Sequence, residues 1–408
     1  MNALPSLPPL PENPRVLVVA LRRLGDVLFT TPLIASIRSA WPRAVIHALV
    51  FEETAGILAG NPDLDSIVTM PTRKNIAQGT ALALRLFRRY DLAVSTQSGD
   101  RPTTFALIAG RRSVGPVDGG RRGALRRLVL SRSIAPQAGL HRLEQMLRVA
   151  DALGIARVSQ LVCPRGGASL PSPFPSASGG LSSQRREATN ADGRTSACSS
   201  IVELGEPYAV IHAAPMFIYK RWTRIGWRAV ATGLRDRGLK VVVTGGPDAA
   251  ERAFLDDVWD NLPDIIRLDG RLSWPQLTNV LERACAYVGP DTAVTHLATA
   301  SGCPTVALFG PTDPRLWGPV PAGGLDPMWD PAGTIQRRGN VWLVQNPLPC
   351  LPCHGEGCDR NIASRSQCLD QLSAAQVLHA VDEALTARPA APTASPPASA
   401  ERQAGAGN

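Results

Sequence analysis

The sequence contains no apolar run long enough to cross a membrane. No stretch of about 18 apolar residues is free of charged side chains, so a transmembrane helix is excluded. The proline-rich start, residues 1–14, has no basic segment ahead of an apolar one, and we expect no secretory signal there. A hydrophobic content of 44% is ample for globular packing. We therefore expect a soluble protein, and its 408 residues suit two domains of about 150 residues each.

Two motifs of nucleotide chemistry are also missing. The glycine pattern G-x-G-x-x-G is absent from both turns that would open a dinucleotide-binding domain, which counts against hydride transfer. No D-x-D pair is placed to bridge a diphosphate through a metal ion, because Asp63 and Asp65 stand in a turn before a short strand. We therefore expect no cofactor and no obligatory divalent metal.

Cysteine is scarce, and eight residues in 408 do not make a disulfide scaffold. Four of them cluster with the spacing C-x2-C-x4-C-x9-C, at Cys350, Cys353, Cys358 and Cys368. The opening pair is compatible with a tetrathiolate zinc site, but the later spacing is not that of a standard zinc finger. Reduced thiols are the default interpretation, and a structural zinc ion is the alternative.

The formal charge of +9 is unevenly distributed. Residues 1–150 contain 20 Lys and Arg against 10 Asp and Glu, whereas the remainder contains 23 against 24. The basic half is expected to attract an anionic surface or substrate, and arginines that only solvate the surface are the alternative. Aromatic residues are not interleaved with these arginines, which disfavours nucleic acid. The basic residues include Arg22, Arg23, Arg73, Lys74, Arg88, Arg89, Arg111, Arg112, Arg121, Arg122, Arg126 and Arg127.

Strands alternate with helices along most of the chain, which predicts parallel sheets with helical crossovers. One helix is predicted from Asp26 to about Ala40, and another from Ile76 to Arg89. The helix at 373–386 is expected to pack back on the N-terminal domain. The predicted strands are 15–21, 45–50, 66–70, 91–96, 113–117, 208–213, 240–244, 286–288 and 305–309.

The low-complexity segments set the predicted domain boundaries. Residues 164–200 are rich in Ser, Gly, Pro and Ala and almost devoid of large apolar groups, so they cannot form a core. The fold class is therefore two doubly wound α/β domains joined by a linker. We expect a disordered start at 1–14, a first domain at 15–163, a linker or insertion at 164–204, a second domain at 205–388 and a disordered tail at 389–408.

The segment 289–319 concentrates polar residues at a turn between two predicted strands. Gly289 interrupts the first strand, and Asp291 and Thr292 can cap the helix that follows. Free backbone N–H groups and the helix dipole favour an anion at this position, and His296 lies about one turn further in. The sequence therefore predicts a phosphate site here.

Two further turns carry polar residues after predicted strands. In L-R-R-L-G-D, Gly25 permits a sharp backbone turn, and Asp26 is either a helix cap or a functional carboxylate. In K-R-W, Lys220 is either a phosphate ligand or a surface lysine beside a packed Trp222. The residues alone leave both choices open.

These segments closely resemble the signature of the ADP-heptose:lipopolysaccharide heptosyltransferases, glycosyltransferase family 9, and the resemblance extends over most of the chain. It implies the GT-B architecture, in which two doubly wound domains face one cleft. Family members have an aspartate in a G-D motif that is taken as the general base, and Asp26 is the matching residue. The family's K-x-W element, whose lysine reaches the donor phosphates, matches Lys220 and Trp222.

The resemblance also implies the remaining donor contacts. The family's phosphate-binding segment matches Asp291, Thr292, Ala293 and His296. Ala293 stands where the family commonly has glycine, and its methyl group restricts close backbone approach. The family's ribose site matches the turn G-G-P-D-A-A-E, where either Asp248 or Glu251 could accept from the hydroxyls. Without the resemblance, that segment is an ordinary turn before a helix.

Acceptor contacts in this fold are expected on the first domain. We place them at Arg22, Arg23, Arg88 and Gln97, because arginines pair with phosphates or carboxylates, bidentately where geometry allows. Solvated surface is the alternative for each residue.

The sequence therefore predicts an inverting glycosyltransferase that moves a heptose from ADP-heptose to the inner core of lipopolysaccharide. Its partners would be a nucleotide-diphosphate sugar donor and an anionic glycolipid acceptor, and not nucleic acid. We expect a cytoplasmic protein that associates peripherally with the inner face of the inner membrane. One alternative is transfer of another nucleotide sugar to a different surface polysaccharide. The other is a catalytically inactive GT-B binding protein.

Overall fold

The computed structural model describes residues 9–73, 76–135, 137–166, 206–353 and 355–387, and the side chain of Arg122 is likewise not described. Residues 1–8 of the expected N-terminal segment, residues 167–204 of the expected linker and the expected tail at 389–408 lie outside the described residues. The disorder predicted for those segments stays a prediction.

The first sheet consists of strands that are buried on both faces. In β1 (Arg15–Ala20), Val16 and Val18 lie in one core cluster, whereas Leu17 and Val19 lie in another. Near-continuous apolar runs of this kind are typical of parallel strands that are covered by helices on both sides. The other strands are β2 (Val45–Phe51), β3 (Ser66–Met70), β4 (Tyr90–Ser95), β5 (Gly110–Pro116) and β6 (Arg132–Ile134).

Within the described residues, this sheet is parallel throughout, with the order β3-β2-β1-β4-β5-β6. The order reverses between β1 and β4, and ligands of doubly wound sheets bind at the carboxyl ends of the strands beside such a switch point. The connecting helices are α1 (Leu24–Leu28), α2 (Thr31–Ala40), α3 (Ile76–Leu86), α4 (Asp100–Ala109), α5 (Gly120–Val129) and α6 (Arg142–Leu153), with a 3₁₀ helix at Glu52–Leu58.

The single helix predicted from Asp26 to Ala40 is wrong, because the structure divides it into α1 and α2. Pro32 stands in the first turn of α2 and has no N–H group to donate to the carbonyl of Leu28. The hydroxyl of Thr31 donates to that carbonyl instead, at 2.8 Å. The break leaves α1 as a separate short helix directly after β1.

The second sheet repeats the same winding. Its order is β12-β13-β11-β10-β7-β8-β9, and its switch point lies between β7 and β10. The strands are β7 (Tyr208–His212), β8 (Lys240–Thr244), β9 (Ile265–Arg267), β10 (Ala286–Pro290), β11 (Thr305–Leu308), β12 (Ile335–Arg338) and β13 (Val341–Val344). The helices are α7 (Arg224–Asp236), α8 (Ala249–Trp259), α9 (Trp274–Arg283), α10 (Ala293–Ala300), α11 (Pro314–Trp317), α12 (Gln367–Asp370) and α13 (Ala374–Thr386), with a 3₁₀ helix at Ile218–Lys220.

The sequence analysis missed the hairpin at the edge of this sheet. Strands β12 and β13 pair antiparallel, and Gly339 in the turn between them has φ +53°. A two-residue Gly-Asn connection is a recognised hairpin signal, but only β13 is apolar, because β12 reads Ile-Gln-Arg-Arg.

The last helix packs differently from the prediction. We expected α13 to lie on the N-terminal domain, but it packs against α7 and against β10, β11 and β13 of the second sheet. Its inward side chains, Val377, Ala380, Val381 and Ala384, belong to the core cluster of the second domain. The helix therefore covers its own sheet, because its small apolar stripe completes that core.

Candidate active site

The two domains meet where the carboxyl ends of their switch-point strands face each other. Helix α1 follows β1, helix α10 follows β10, and the two helices pack together. A Cβ atom built on Gly25 would lie 3.7 Å from Cδ2 of His296 and 3.8 Å from Cβ of Ala293. The predicted base segment and the predicted phosphate segment are therefore neighbours.

Gly25 itself does not make the sharp turn that we predicted. It lies inside α1 and is not among the glycines with a left-handed φ. A Cβ atom at this position would make ordinary van der Waals contact with α10. The small size of Gly25 therefore allows α1 and α10 to approach each other, and it is not needed for a turn.

Asp26 is buried at this junction and is paired with an arginine that the sequence did not reveal. Nε of Arg142 donates to Oδ1 of Asp26 at 2.6 Å, and the two side chains are 8% and 7% exposed. Nη1 of Arg142 also donates to Gln145 at 3.2 Å, and its buried Nη2 has no hydrogen-bond partner among the described residues. Burial lowers the pKa of Arg142, and Asp26 opposes that shift. The guanidinium therefore fixes the orientation of the carboxylate.

His141, the residue before α6, ties the first domain to the second. Its Nδ1 accepts from the N–H of Leu143 at 3.1 Å, so its Nε2 carries the proton and donates to the carbonyl of Gly318 at 2.8 Å. Burial lowers the pKa of His141 to about 4, which keeps the ring neutral. The Phe29 ring lies between His141 and His296, at centroid distances of 5.7 and 4.7 Å. These contacts close one side of the cleft.

On the other side of the cleft, Lys220 forms an ion pair with Asp291. Asp291 is buried directly after β10, and His296 Nε2 lies 4.0 Å from its Oδ1. Burial lowers the pKa of His296 to about 4, and its Nδ1 has no partner within the described part of the chain. Asp291 therefore holds the ammonium group of Lys220 beside the start of α10.

The helix cap is Thr292 and not Asp291. Its hydroxyl accepts from the N–H of Thr295 at 3.3 Å. The N–H groups of Ala293 and Val294 have no hydrogen-bond partner in the ranges that the structure describes. Two unpaired amides at the positive end of a helix favour an anion, and the ammonium group of Lys220, whose charge is balanced by Asp291, lies beside them as a further donor.

Trp222, predicted as a donor-binding residue, is instead a core residue. It is fully buried, its Nε1 donates to the carbonyl of Leu372 at 3.0 Å, and its ring packs edge-on against Trp227 at 5.0 Å. A Cβ on Gly226 would come within 2.4 Å of the indole. The tryptophan therefore anchors the segment that carries Lys220 and has no surface to offer a ligand.

The two carboxylates predicted near the ribose have different surroundings. Asp248 is exposed and accepts from the N–H groups of Ala250 and Glu251, so it caps α8. Glu251 is half-buried, and its Oε1 accepts from the N–H of Gly246 at 2.6 Å. Burial raises the pKa of Glu251. An open cavity of about 570 Å³ lies beside them and is lined by Pro247, Arg252, Arg267, Asp269, Gly270 and Arg271.

Arg22 and Gln97 come together at the switch point of the first sheet. Nε of Arg22 donates to Oε1 of Gln97 at 3.0 Å, and Nε2 of Gln97 donates to the carbonyl of Leu21 at 2.8 Å. The guanidinium of Arg23 lies 4.6 Å above the ring of Phe217, a residue of the second domain. These three predicted acceptor residues therefore lie at the cleft.

Arg88, the fourth predicted acceptor residue, lies at the opposite edge of the sheet. It follows α3, has φ +53°, and donates to the carbonyl of Gly110 at the first residue of β5. A crossover helix returns the chain to the amino ends of the strands, whereas the cleft lies at their carboxyl ends. The assignment of Arg88 to the acceptor is therefore wrong.

Comparison with known proteins identifies the family. The model of glycosyltransferase family 9 (heptosyltransferase) matches residues 80–323, a span that includes Lys220, Asp291 and His296. The chain belongs to glycosyltransferase family 9. It is therefore a glycosyltransferase, and the resemblance noted in the sequence is confirmed.

Two relatives of this glycosyltransferase align with most of its length. It is 28% identical over 309 residues to lipopolysaccharide heptosyltransferase 3 of Escherichia coli, covering 73% of this chain and 84% of the relative. It is also 28% identical over 358 residues to lipopolysaccharide heptosyltransferase 1 of Pseudomonas aeruginosa, covering 84% of this chain and 87% of the relative.

Solved structures of the family confirm the predicted GT-B fold. The glycosyl transferase family 9 protein of Veillonella parvula matches with a TM-score of 0.69 at 18% identity, covering 91% of this chain and 97% of that chain. The ADP-heptose lipopolysaccharide heptosyltransferase II of Escherichia coli matches with a TM-score of 0.65 at 18% identity, covering 91% and 98%. The shared architecture is two doubly wound domains around one cleft.

The clustered cysteines of this glycosyltransferase show no metal-binding arrangement. Cys350, Cys353 and Cys358 are exposed, Cys368 is buried, and all four are free thiols. Burial raises the pKa of Cys368 to about 12. In the described part of the chain, which omits His354, no group of three or more His, Cys, Asp or Glu residues could hold a metal ion. The structural zinc ion stays a prediction.

None of the helices within the described ranges combines the length and the apolar composition that crossing a bilayer requires.

Proposed function

We propose that this glycosyltransferase moves a heptose from ADP-heptose to the inner core of lipopolysaccharide, with inversion at the anomeric carbon and with Asp26 as the general base. The observation that carries this proposal is the packing of α1 against α10. It places Asp26 of one domain and the Lys220–Asp291 pair of the other on the same cleft. The names of the two relatives, both lipopolysaccharide heptosyltransferases, support the substrate class.

Asp26 accepts the proton of the acceptor hydroxyl as that oxygen forms its bond to the anomeric carbon. The bond from the anomeric carbon to the diphosphate oxygen breaks on the opposite face, and ADP leaves with both electrons of that bond. General-base catalysis contributes about 10²- to 10⁴-fold to such a step. Arg142 touches Asp26 and acts as a positioning residue, because it fixes the carboxylate that must face the incoming hydroxyl.

The second domain stabilises the departing diphosphate. Lys220 and the free N–H groups of Ala293 and Val294 are fixed donors that can meet the departing phosphates. Stabilisation of the developing negative charge by such donors is usually the largest single contribution to the rate of a reaction of this kind. Asp291 would repel the phosphates if it stood alone, but its pairing with Lys220 neutralises it. The charge on the diphosphate is thus met by protein groups, and we propose that no divalent metal is required.

Glu251 is the better candidate for the ribose. Its Oε1 is engaged by Gly246, while Oε2 makes no hydrogen bond among the described residues. Asp248 is committed to capping α8. Glu251 therefore has a free oxygen at the carboxyl end of β8 that can accept from a ribose hydroxyl.

The acceptor lies on the side of the first domain. Arg22, held by Gln97, and Arg23, stacked on Phe217, stand at the cleft edge, where they can meet phosphates or carboxylates of an anionic glycolipid. We propose that the enzyme acts in the cytoplasm at the inner face of the inner membrane, where such an acceptor is presented.

Two measurements test this function. Isothermal titration calorimetry should show binding of ADP and ADP-heptose to the purified protein, and the absence of both would end the proposal. Mass spectrometry of lipopolysaccharide from a deletion strain should show the loss of one heptose together with the groups that are attached to it. Loss of a different sugar with intact heptoses would instead indicate another donor.

A further inference from the structure

We propose that helices α3 and α5 form a docking surface for an anionic lipid bilayer, here called the outer helix face. This inference deepens the proposed function and rests on it for its biological role, because the acceptor is a membrane glycolipid. The outer helix face comprises six exposed apolar side chains: Ile76, Leu84, Phe87, Leu125, Leu128 and Val129.

The apolar residues of α5 lie together on one side of the helix. Leu125, Leu128 and Val129 follow the spacing i, i+3, i+4, and they are 64%, 83% and 51% exposed. Such spacing normally marks the side of a helix that is buried against a core. Here the stripe faces outward and is not covered by any part of the described chain.

Helix α3 also carries apolar side chains on its exposed side. Ile76 is 87% exposed and Leu84 is 72% exposed, while Phe87 just beyond the helix is 63% exposed. The inner side of α3 still buries Leu86 against the sheet. Both helices thus carry exposed apolar side chains in addition to the side that packs on the domain, and exposed apolar side chains that cluster are typical of interaction sites.

The two helices cover the same face of the first sheet, with α4 between them. Helix α3 packs against α4, and Arg126 of α5 forms an ion pair with Asp100 at the start of α4. The apolar side chains of both helices therefore belong to one side of the domain that carries Asp26. A planar partner could contact both helices at once.

Charge identifies the partner. Residues 71–135 contain 13 Lys and Arg against three Asp, whereas the rest of residues 1–150 contains seven of each sign. The whole basic excess of the first half thus lies in residues 71–135, and α3 and α5 themselves carry five arginines and no acidic residue. A second copy of the chain would bring an equal positive charge, which opposes self-association. Apolar side chains framed by arginines fit a bilayer with anionic headgroups.

Vesicle co-sedimentation tests the surface without any nucleotide or sugar. Vesicles of phosphatidylcholine alone are compared with vesicles that contain about 30% phosphatidylglycerol, a fraction typical of a strongly anionic membrane. Wild-type protein should bind the anionic vesicles and much less of the neutral ones. The variant Leu125→Ser/Leu128→Ser should bind at least tenfold more weakly, because each leucine loses its burial in the acyl boundary. Arg121→Gln/Arg127→Gln should weaken binding about fivefold per arginine.

The matched control is Ile225→Ser, which removes an equally exposed apolar side chain from α7 of the second domain. It should leave vesicle binding unchanged. ADP affinity, measured by calorimetry, should be unchanged in all three variants, because none of these residues lies at the cleft. Retained ADP binding also shows that the variants are folded.

Three results would overturn the inference. The first is equal binding of wild type to neutral and anionic vesicles, and the second is unchanged vesicle binding by both double variants. The third is a dimer in sedimentation velocity that Leu125→Ser/Leu128→Ser converts to monomer while vesicle binding persists, since the face would then pair two copies of the chain. If vesicle binding behaves as expected but ADP-heptose does not bind, the proposed function fails and the docking surface stands.

Discussion

Oδ1 of Asp26 accepts a hydrogen bond from Nε of Arg142 at 2.6 Å, and the pair spans 116 residues of sequence. Both side chains are buried where the two domains meet. A buried carboxylate with a single fixed guanidinium partner has a defined orientation toward the cleft. The proposed general base and the stability of the domain junction therefore share one contact, and substitutions can separate the two effects.

Replacing Asp26 tests the base directly. We expect Asp26→Asn and Asp26→Ala to lower kcat by about 10²- to 10⁴-fold, because the acceptor hydroxyl loses its proton acceptor. ADP affinity should change by less than about 1 kcal/mol, since we propose that the second domain binds the diphosphate. Initial rates of ADP release and calorimetry measure the two quantities. Full turnover by Asp26→Asn would show that another residue is the base.

Removing the partner of Asp26 should affect folding. Arg142→Ala leaves a buried carboxylate unpaired, and we expect the free energy of unfolding to fall by about 3–5 kcal/mol. The double variant Asp26→Ala/Arg142→Ala should lose less than the sum of the two single variants, because no buried charge is then left alone. Urea denaturation measures all three. Strict additivity would mean that the ion pair contributes nothing.

Lys220 should contribute to donor affinity. We expect Lys220→Ala to raise the Kd for ADP by about 10- to 100-fold, because one charged hydrogen bond is lost and Asp291 then stands unpaired beside the phosphates. Lys240→Ala, which removes a half-exposed lysine paired with Glu206, is the control and should change the Kd by less than about twofold. Equal effects of the two substitutions would contradict the phosphate assignment.

Four buried histidines should make stability depend on pH. Burial lowers the pKa of His47, His141, His212 and His296 from 6.5 to about 4. Between these values the unfolded chain binds more protons than the folded one, so stability is lost as pH falls from about 6.5 toward 4. Each histidine contributes at most about 1.4 kcal/mol per pH unit in this window.

The pKa values of Asp63 and Glu251 are raised by burial, which makes stability depend on pH with the opposite sign, but they are two groups against four histidines. Urea denaturation at a series of pH values checks the trend, and His296→Asn should reduce the slope by about a quarter. A free energy of unfolding that stays flat between pH 7 and 5 would contradict this prediction.

Chelation should not stop the reaction. In the proposed mechanism, Lys220 and the N-terminal amides of α10 bind the diphosphate in place of a divalent metal. We therefore expect the transfer rate in excess EDTA to stay within about twofold of the untreated rate, with Lys220→Ala included for comparison. If EDTA abolishes transfer and Mg²⁺ restores it, the metal-independent mechanism is wrong.

The residues that are predicted well are those governed by local pattern. Strand β3 at Ser66–Met70 and strand β8 at Lys240–Thr244 follow from short apolar runs bounded by turns. Thr292 is recognisable as a cap because a hydroxyl before an apolar-periodic helix is a local signal. The positions of these strands and of this helix cap are therefore accessible from the amino-acid sequence.

The residues that are predicted poorly depend on which elements meet. Trp222 is assigned to the ligand by its resemblance to the family's K-x-W element, but its ring packs against Gly226 in the core. Arg88 is assigned to the acceptor, but it follows a crossover helix and lies at the far edge of the sheet. Arg142 escapes prediction altogether, since nothing in its local sequence points to Asp26.

The sequence by itself determined the doubly wound domains, the cap of α10 and the presence of a carboxylate and a lysine after two separate strands. Strand period, turn chemistry and helix capping act over a few residues, so they can be read locally. The tertiary structure decided that Asp26 pairs with Arg142, that Asp291 holds Lys220, and that the apolar sides of α3 and α5 face outward. Those outcomes depend on how distant elements pack together, and no local pattern encodes that packing.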